Sequence, residues 1–272
     1  REITDLFGII FDGHPEPRPL VWQTDAAAAA VTADGGGPEV QDDDVQLLPF
    51  GPIRADVVES VRLDFFYVGE HILHLHPQLF FKHRGMEQRF EGASLPKGVA
   101  LAERVSGVGS FSHALAFCQA VEHAARCIVP ERARYLRSLL AELERIYNHL
   151  HYLGHLADTT TLKVGQAEGR LLEERAKQIN GRLTGSRFLR GIIKPGGLRR
   201  DLMDLDWLAD TVETLRADAD AFAEGLENTG SYLDRLMTTG PLPKQLAFDQ
   251  GATGPVERAS GLDRDLRRDY SY

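Results

Sequence analysis

Residues 130–157 read PERARYLRSLLAELERIYNHLHYLGHLA, and this stretch decides the fold. Leu136, Leu139, Leu140, Leu143, Ile146, Tyr147, Leu150 and Leu153 follow at steps of one, three and four, which places them along one face of an α-helix. Pro130 opens the helix where its missing N–H costs little, and Gly154 is expected to close it. A long helix with one apolar face needs helical neighbours, and the flanking sequence supplies them. Ser110 or Ser112 caps a helix running to about residue 129, a third helix is expected over 167–190 and a fourth over 203–238. Upstream, Val61, Leu63, Phe65 and Tyr67 alternate as a half-buried strand does; Gly69 and Glu70 then suit a turn, and Ile72 to Leu75 a returning strand. The expected fold class is α+β: a helical-bundle core of long helices with a small N-terminal antiparallel β element.

Outward from this core the composition changes twice. Residues 1–22 are apolar and aromatic, whereas 23–46, QTDAAAAAVTADGGGPEVQDDDVQ, are rich in Ala, Gly and acidic residues and offer little to bury. The expected organisation is an N-terminal segment 1–22, a low-complexity linker 23–46 and a main domain 47–272. The net charge of −9 argues against a generally basic, nucleic-acid-binding surface. No apolar run approaches the roughly 18–20 residues that span a bilayer, so attachment to a membrane would run through partner subunits. The stretch REITDLFGIIFDGHP lacks the basic start and apolar core of a secretory signal, and a reducing cytoplasmic setting is expected. Cys118 and Cys127, nine apart in one helical stretch, exclude a disulfide framework and an all-cysteine metal or iron–sulfur site within this chain.

Four constellations invite chemistry. RVSGVGSFS, residues 104–112, places two glycines and three serines before a helix; it reads either as a tight turn or as a phosphate cradle, although the third glycine and preceding strand of a dinucleotide fingerprint are missing. His71, His74 and His76 lie in HILHLH, where His74 and His76 share a strand face that suits a metal or a solvated surface equally. His151 and His155 share a helix face without a metalloprotease motif around them, which favours a solvated or interface role. KHRGMEQRFEG (82–92) and GRLTGSRFLRGIIKPGG (181–197) concentrate arginine; the first is read either as a surface ion-pair cluster or as an arginine beside an electron carrier.

Six stretches in this order also carry a resemblance. PFGP (49–52), FKHRGMEQRFEG (81–92), LAERVSGVGSFSHALAFCQAVE (101–122), VPERARYLRSLLAELERIYNHL (129–150) and LTGSRFLRG with its following PGG resemble the 49 kDa-type subunit of respiratory complex I and, more closely, the large subunit of group 4 [NiFe] hydrogenases, including formate hydrogenlyase. REITDLFGIIFDGHPEPRPLV (1–21) resembles the end of a 30 kDa-type subunit, which those hydrogenases carry fused in one chain. The resemblance implies a subunit on the cytoplasmic side of a membrane complex, beside a small iron–sulfur subunit of 20 kDa type. There electrons leave the last cluster for quinone or another acceptor, and NAD(H) is met only through the wider complex. It also implies a chain that stops before the family's C-terminal segment.

The departures are as informative. The hydrogenase loop holds nickel and iron through two cysteines, at the positions of Ser106 and Gly109 here. Serine is a poor ligand for soft metals and glycine has no side chain, so no [NiFe] centre and no metal site of its own is expected. The tyrosine that meets quinone in complex I falls at Gly107, and the two histidines of its GPQHP loop fall at Arg54 and Val58. What the resemblance leaves is a candidate acceptor cavity lined by Arg54, Ser106, Gly107, Gly109 and His113. His83, Arg84 and Arg187 are expected near the partner's iron–sulfur cluster, where positive charge favours the reduced form. The rival expectation is a non-catalytic structural subunit or a fragment of such a complex.

Overall fold

The computed structural model of the chain describes residues 4, 9–13, 44–53, 60–78, 81–202 and 205–269. Most of the expected N-terminal segment and linker, and both Arg54 and Val58, lie outside the described residues. The chain divides into two compact units, residues 1–85 with 243–262 and residues 86–242 with 263–272.

In the first unit, strands β1 (Gln46–Phe50), β2 (Arg62–Val68) and β3 (His71–Gln78) form an antiparallel sheet in that order. The β2–β3 turn falls on the expected Gly69–Glu70, where Gly69 takes φ 59, a left-handed value that glycine adopts without strain. Leu63, Phe65 and Tyr67 are half-buried as their alternation implies, but Asp64 and Phe66 on the opposite face are more buried. Asp64 tolerates this because Arg62 Nε donates to it at 2.9 Å. Two short helices, Lys244–Asp249 and Gly254–Ala259, belong to this unit as well.

The second unit is helical. It contains α1 (Met86–Phe90), α2 (Leu95–Ala102), α3 (Ser110–Ala125), α4 (Glu131–Thr159), α5 (Lys163–Thr184), the hairpin of β4 (Ile193–Lys194) and β5 (Gly197–Leu198), α6 (Asp206–Glu227) and α7 (Gly230–Leu236). The stripe read from the sequence packs inward: Leu136, Leu140, Leu143, Tyr147 and Leu150 are all buried, and Leu139, Ile146 and Leu153 pack against them. Each large apolar side chain removed from water in this way contributes about 1.5–3 kcal/mol.

Gly154 does not end α4. It sits inside the helix because α5 crosses there: a Cβ on Gly169 would lie 2.5 Å from Gly154 Cα and 2.9 Å from Gly154 N. Close approach of two backbones, not helix termination, is the reason for glycine at both positions. The third helix starts earlier than expected and stops at Gly185, whose φ of 74 supplies the left-handed cap. The fourth breaks after Glu227, where Asn228 and Thr229 interrupt it; Thr229 is extended and starts α7.

One buried ion pair ties α3, α4 and the β4–β5 hairpin together. Arg137, with no exposed surface, grips Glu122 through Nη1 at 3.0 Å and Nη2 at 2.6 Å. The same guanidinium donates to the carbonyls of Lys194 (2.8 Å) and Gly197 (3.0 Å from Nη2), and the Gly196 N–H donates to Glu122 at 2.6 Å. Burial pushes the Glu122 carboxyl up, but the Arg137 hydrogen bonds, the Gly196 N–H and the arginine charge outweigh it and hold the group below its ordinary range.

Candidate functional site at the Arg104–Ser112 loop

The loop connects α2 to α3, with Gly109 (φ −106, ψ 34) as the N-cap of α3. No serine caps the helix. The cap comes from Glu144, buried on α4: its Oε1 accepts the Phe111 N–H at 2.7 Å, and its Oε2 accepts the Ser112 N–H at 2.7 Å and the Ser112 hydroxyl. A carboxylate therefore already occupies the anion position at this helix start. This physical fact removes the phosphate-cradle reading of RVSGVGSFS. Burial raises the Glu144 carboxyl above its ordinary value, against the opposing pull of the Ser112 hydroxyl, the two backbone N–H groups and His113.

The rest of the loop is fixed from three directions. The Ser106 hydroxyl accepts the Gly109 N–H at 3.3 Å, and the Ser110 hydroxyl lies 3.1 Å from the Gly107 carbonyl. Arg190, from the segment after α5, donates from Nε to Ser110 Oγ at 3.0 Å and from Nη2 to the Gly107 carbonyl at 3.1 Å. The Val108 carbonyl accepts from the Tyr147 hydroxyl and from Asn148 Nδ2 (3.0 Å), and Glu103 accepts the Gly191 N–H at 2.6 Å. Carbonyls and helix N–H groups are thus bound from below, while Gly107, Val108, Ser112 and His113 stay exposed.

Neither glycine of the loop adopts left-handed backbone. A Cβ on Gly107 would meet only Arg190 Nη2, at 3.9 Å. A Cβ on Gly109 would lie 3.7 Å from Ser106 Cβ and 3.6 Å from both Ser106 Oγ and His113 Cδ2. The loop has space for side chains at these positions and carries none.

This donor set does not fit a nickel–iron centre. At positions 106 and 109 the loop offers one hydroxyl, already accepting a hydrogen bond, and bare backbone. Cys118 is buried in α3, and burial pushes its thiol up to about 11, so it is no thiolate; Cys127 lies beyond the other end of α3. Among the described residues no group of three or more His, Cys, Asp or Glu is placed to hold a metal ion.

Ser106, Gly107, Gly109 and His113 are brought together in the second unit. Arg187, in the same unit, is exposed and pairs with Glu174 on α5. His83 and Arg84 are exposed residues of the first unit, just ahead of α1, and Arg54 lies outside the described residues. His74 and His76 share the strand face of Phe66 and Asp64, with the His74 ring 5.8 Å from Phe66. The sequence reading missed Glu144, Arg190, Tyr147, Glu173 and Lys177. Glu173 and Lys177 form an ion pair on α5, and Lys177 Nζ lies 5.4 Å above the Tyr147 ring and 4.9 Å above Phe188.

Comparison with known proteins divides the chain between two family descriptions. Nickel-dependent hydrogenase matches residues 84–169, and respiratory-chain NADH dehydrogenase, 49 kDa subunit, matches residues 170–272. The chain is 31% identical to formate hydrogenlyase subunit 5 of Escherichia coli (strain K12) over all of its own length and 52% of that protein. It is 32% identical to an NADH-quinone oxidoreductase subunit of Streptomyces griseus, over 88% of this chain and 60% of that protein. Among solved structures it is similar to a chain of the membrane-bound sulfane sulfur reductase (MBS), an archaeal respiratory membrane complex, with a TM-score of 0.79 and 27% identity over 86% of this chain and 63% of that one. The chain thus spans between half and two thirds of the length of these relatives.

Proposed function

From its place in the family of complex I 49 kDa-type subunits and group 4 hydrogenase large subunits, to which this chain belongs, we propose that it passes electrons from a partner iron–sulfur subunit to a small acceptor at the Arg104–Ser112 loop. One observation carries the reading: the loop is pinned from below by Glu144, Tyr147 and Arg190, yet open above Gly107 and without a thiol at 106 or 109. Rigid support of an exposed loop with room above it suits an acceptor that comes and goes, and the lack of soft ligands leaves no role for nickel there. Quinone is the acceptor favoured by the complex I relationship. Within the second unit, Arg187 is assigned to the boundary with the partner's cluster and His113 to the acceptor side. The chain sits peripherally on the inner face of the membrane through its partner subunits; among the described residues no helix is long and apolar enough to cross a bilayer. Residues 1–22 form the end of a fused 30 kDa-type part. The match to formate hydrogenlyase subunit 5 over the whole of this chain supports this, against a match to the Streptomyces griseus protein that covers less of it.

The test uses the native complex that contains this chain. Its iron–sulfur clusters are reduced with dithionite and mixed with a short-chain ubiquinone while electron paramagnetic resonance follows the clusters. Reoxidation by the quinone, lost when Gly107 is replaced by a bulky Trp, is the expected result. Clusters that stay reduced with quinone and with polysulfide alike refute the reading and favour the second one, a non-catalytic structural subunit, which a serine at 106 and bare positions 107 and 109 also suit.

A further inference from the structure

Resting on that reading, we propose that His151, Glu173 and Lys177 form a proton-delivery line along the α4–α5 seam, feeding protons to an acceptor reduced beside the loop. Reduction of a quinone or of sulfane sulfur consumes protons as well as electrons, so a working acceptor site needs both supplies. The electron side belongs to the partner's clusters. The proton side is visible in this chain as three adjoining titratable groups of different kinds.

The order of the line follows from exposure and contact. His151 is the outer group, with 54% of its side chain exposed, and its Nδ1 lies 3.0 Å from Glu173 Oε2. Glu173, 13% exposed, bridges through its other oxygen to the Lys177 ammonium, 12% exposed. Lys177 in turn lies over Tyr147, whose hydroxyl holds the Val108 carbonyl, and over Phe188, in the segment whose Arg190 holds the Gly107 carbonyl. The inner end of the line therefore abuts Tyr147, which holds the loop directly, and Phe188, whose other neighbour is the Arg190 guanidinium at 5.4 Å. An imidazole at the surface, a carboxylate between and an ammonium within are three groups that can pass a proton at each joint without moving the backbone. Burial opposes a charged Glu173, but the hydrogen bonds and charges of Lys177 and His151 outweigh it and hold the carboxylate ionised. Other charged groups surround the line. His155 stacks parallel to His151 at 6.5 Å with Asp158 and Arg170 beyond it, Glu174 pairs with Arg187, and Arg190 and Glu144 stand on the loop side.

The step balances. Two electrons arrive at the acceptor from reduced iron–sulfur clusters of the partner. For each proton taken up, an N–H bond of Lys177 breaks and an O–H or S–H bond forms on the reduced acceptor. The amine is then reprotonated from the His151 imidazolium through the Glu173 carboxylate, and His151 takes its proton from water.

The experiment compares the native complex with His151→Ala and Glu173→Gln forms. Dithionite-reduced clusters are mixed either with a short-chain ubiquinone, whose reduction consumes protons, or with ferricyanide, whose reduction does not. The expected result is a slowing of at least about tenfold with quinone at alkaline pH, with ferricyanide rates as in the wild type. Added imidazole restores His151→Ala and leaves Glu173→Gln slow. Unchanged quinone rates and pH profiles overturn the proposal, as does equal slowing with both acceptors or a His151→Ala form that imidazole does not rescue. His151 is exposed, so its variant folds, and a thermal melt checks this. A wild-type complex that reduces ferricyanide but neither quinone nor polysulfide instead overturns the acceptor reading itself and the proposal with it.

Discussion

Replacing Ser106 and Gly109 together by cysteine restores the thiol pair that the loop lacks, and the structure states how it should behave. A Cβ on Gly109 lies 3.7 Å from Ser106 Cβ, inside the roughly 3.5–4.5 Å range that a disulfide requires. The backbone at 109, with φ −106, accepts an ordinary side chain, and its Cβ meets nothing closer than 3.6 Å. On oxidation the two thiols should therefore join without rebuilding the loop. Closing a four-residue ring constrains the unfolded chain by about 2 kcal/mol, and in a chain of this size each kcal/mol moves the melting temperature by roughly 2–4 °C. The oxidised form should melt about 4–8 °C above its own reduced form. The assay is a thiol count on denatured protein, in a Cys127→Ser background that prevents cross-linking through the exposed cysteine, paired with thermal melts of both redox forms. Two thiols that stay free under oxidant in a natively folded protein would show that the 106–109 geometry is not that of a vacated cysteine pair.

Three further outcomes follow from the packing. Glu144→Gln should change the pH dependence of stability with a defined sign: the folded carboxyl is raised above the ordinary 4.5, so its contribution is full below that value and is lost as pH rises through the folded value, and urea titrations of the variant should lack this fall. Gly169→Ala should cost about 1–3 kcal/mol or more in denaturant unfolding, because its Cβ lands 2.5 Å from Gly154 Cα; Gly154→Ala, with its closest approach at 3.2 Å, should cost less. Arg137→Met should cost about 3–5 kcal/mol by stranding the buried Glu122, and adding Glu122→Leu should recover much of the loss in a double-mutant cycle.

The helical core was legible because its signal is periodic and local. The stripe from Leu136 to Leu153 needs no knowledge of what it packs against, only that one face is apolar. Helix ends proved harder, since the deciding partners are distant in sequence. Gly154 has the local signature of a stop, and only the neighbouring Gly169 makes it a crossing point. The serines at 110 and 112 have the local signature of caps, yet the cap is Glu144, more than thirty residues away.

The candidate site divides in the same way. Ser106, Gly107, Gly109 and His113 could be picked out because a motif surrounds them. Glu144 and Arg137 could have been found too: each is a charged residue on the inward face of α4, and the seven-residue step from one to the other returns to the same side of the helix. A charge at a core position must have a partner, which marks a buried network from the sequence alone. Arg190 and Lys177 carry no such mark, because their roles depend on how the segment after α5 folds back over Tyr147.

The most direct measurement of the central claim is the nickel and iron content of the native complex, determined together by X-ray fluorescence and expressed per copy of this chain. An electron-passing subunit beside a partner iron–sulfur subunit, with a loop stripped of its thiols, requires several irons and no stoichiometric nickel. One nickel per chain, or a complex without iron, would contradict the account.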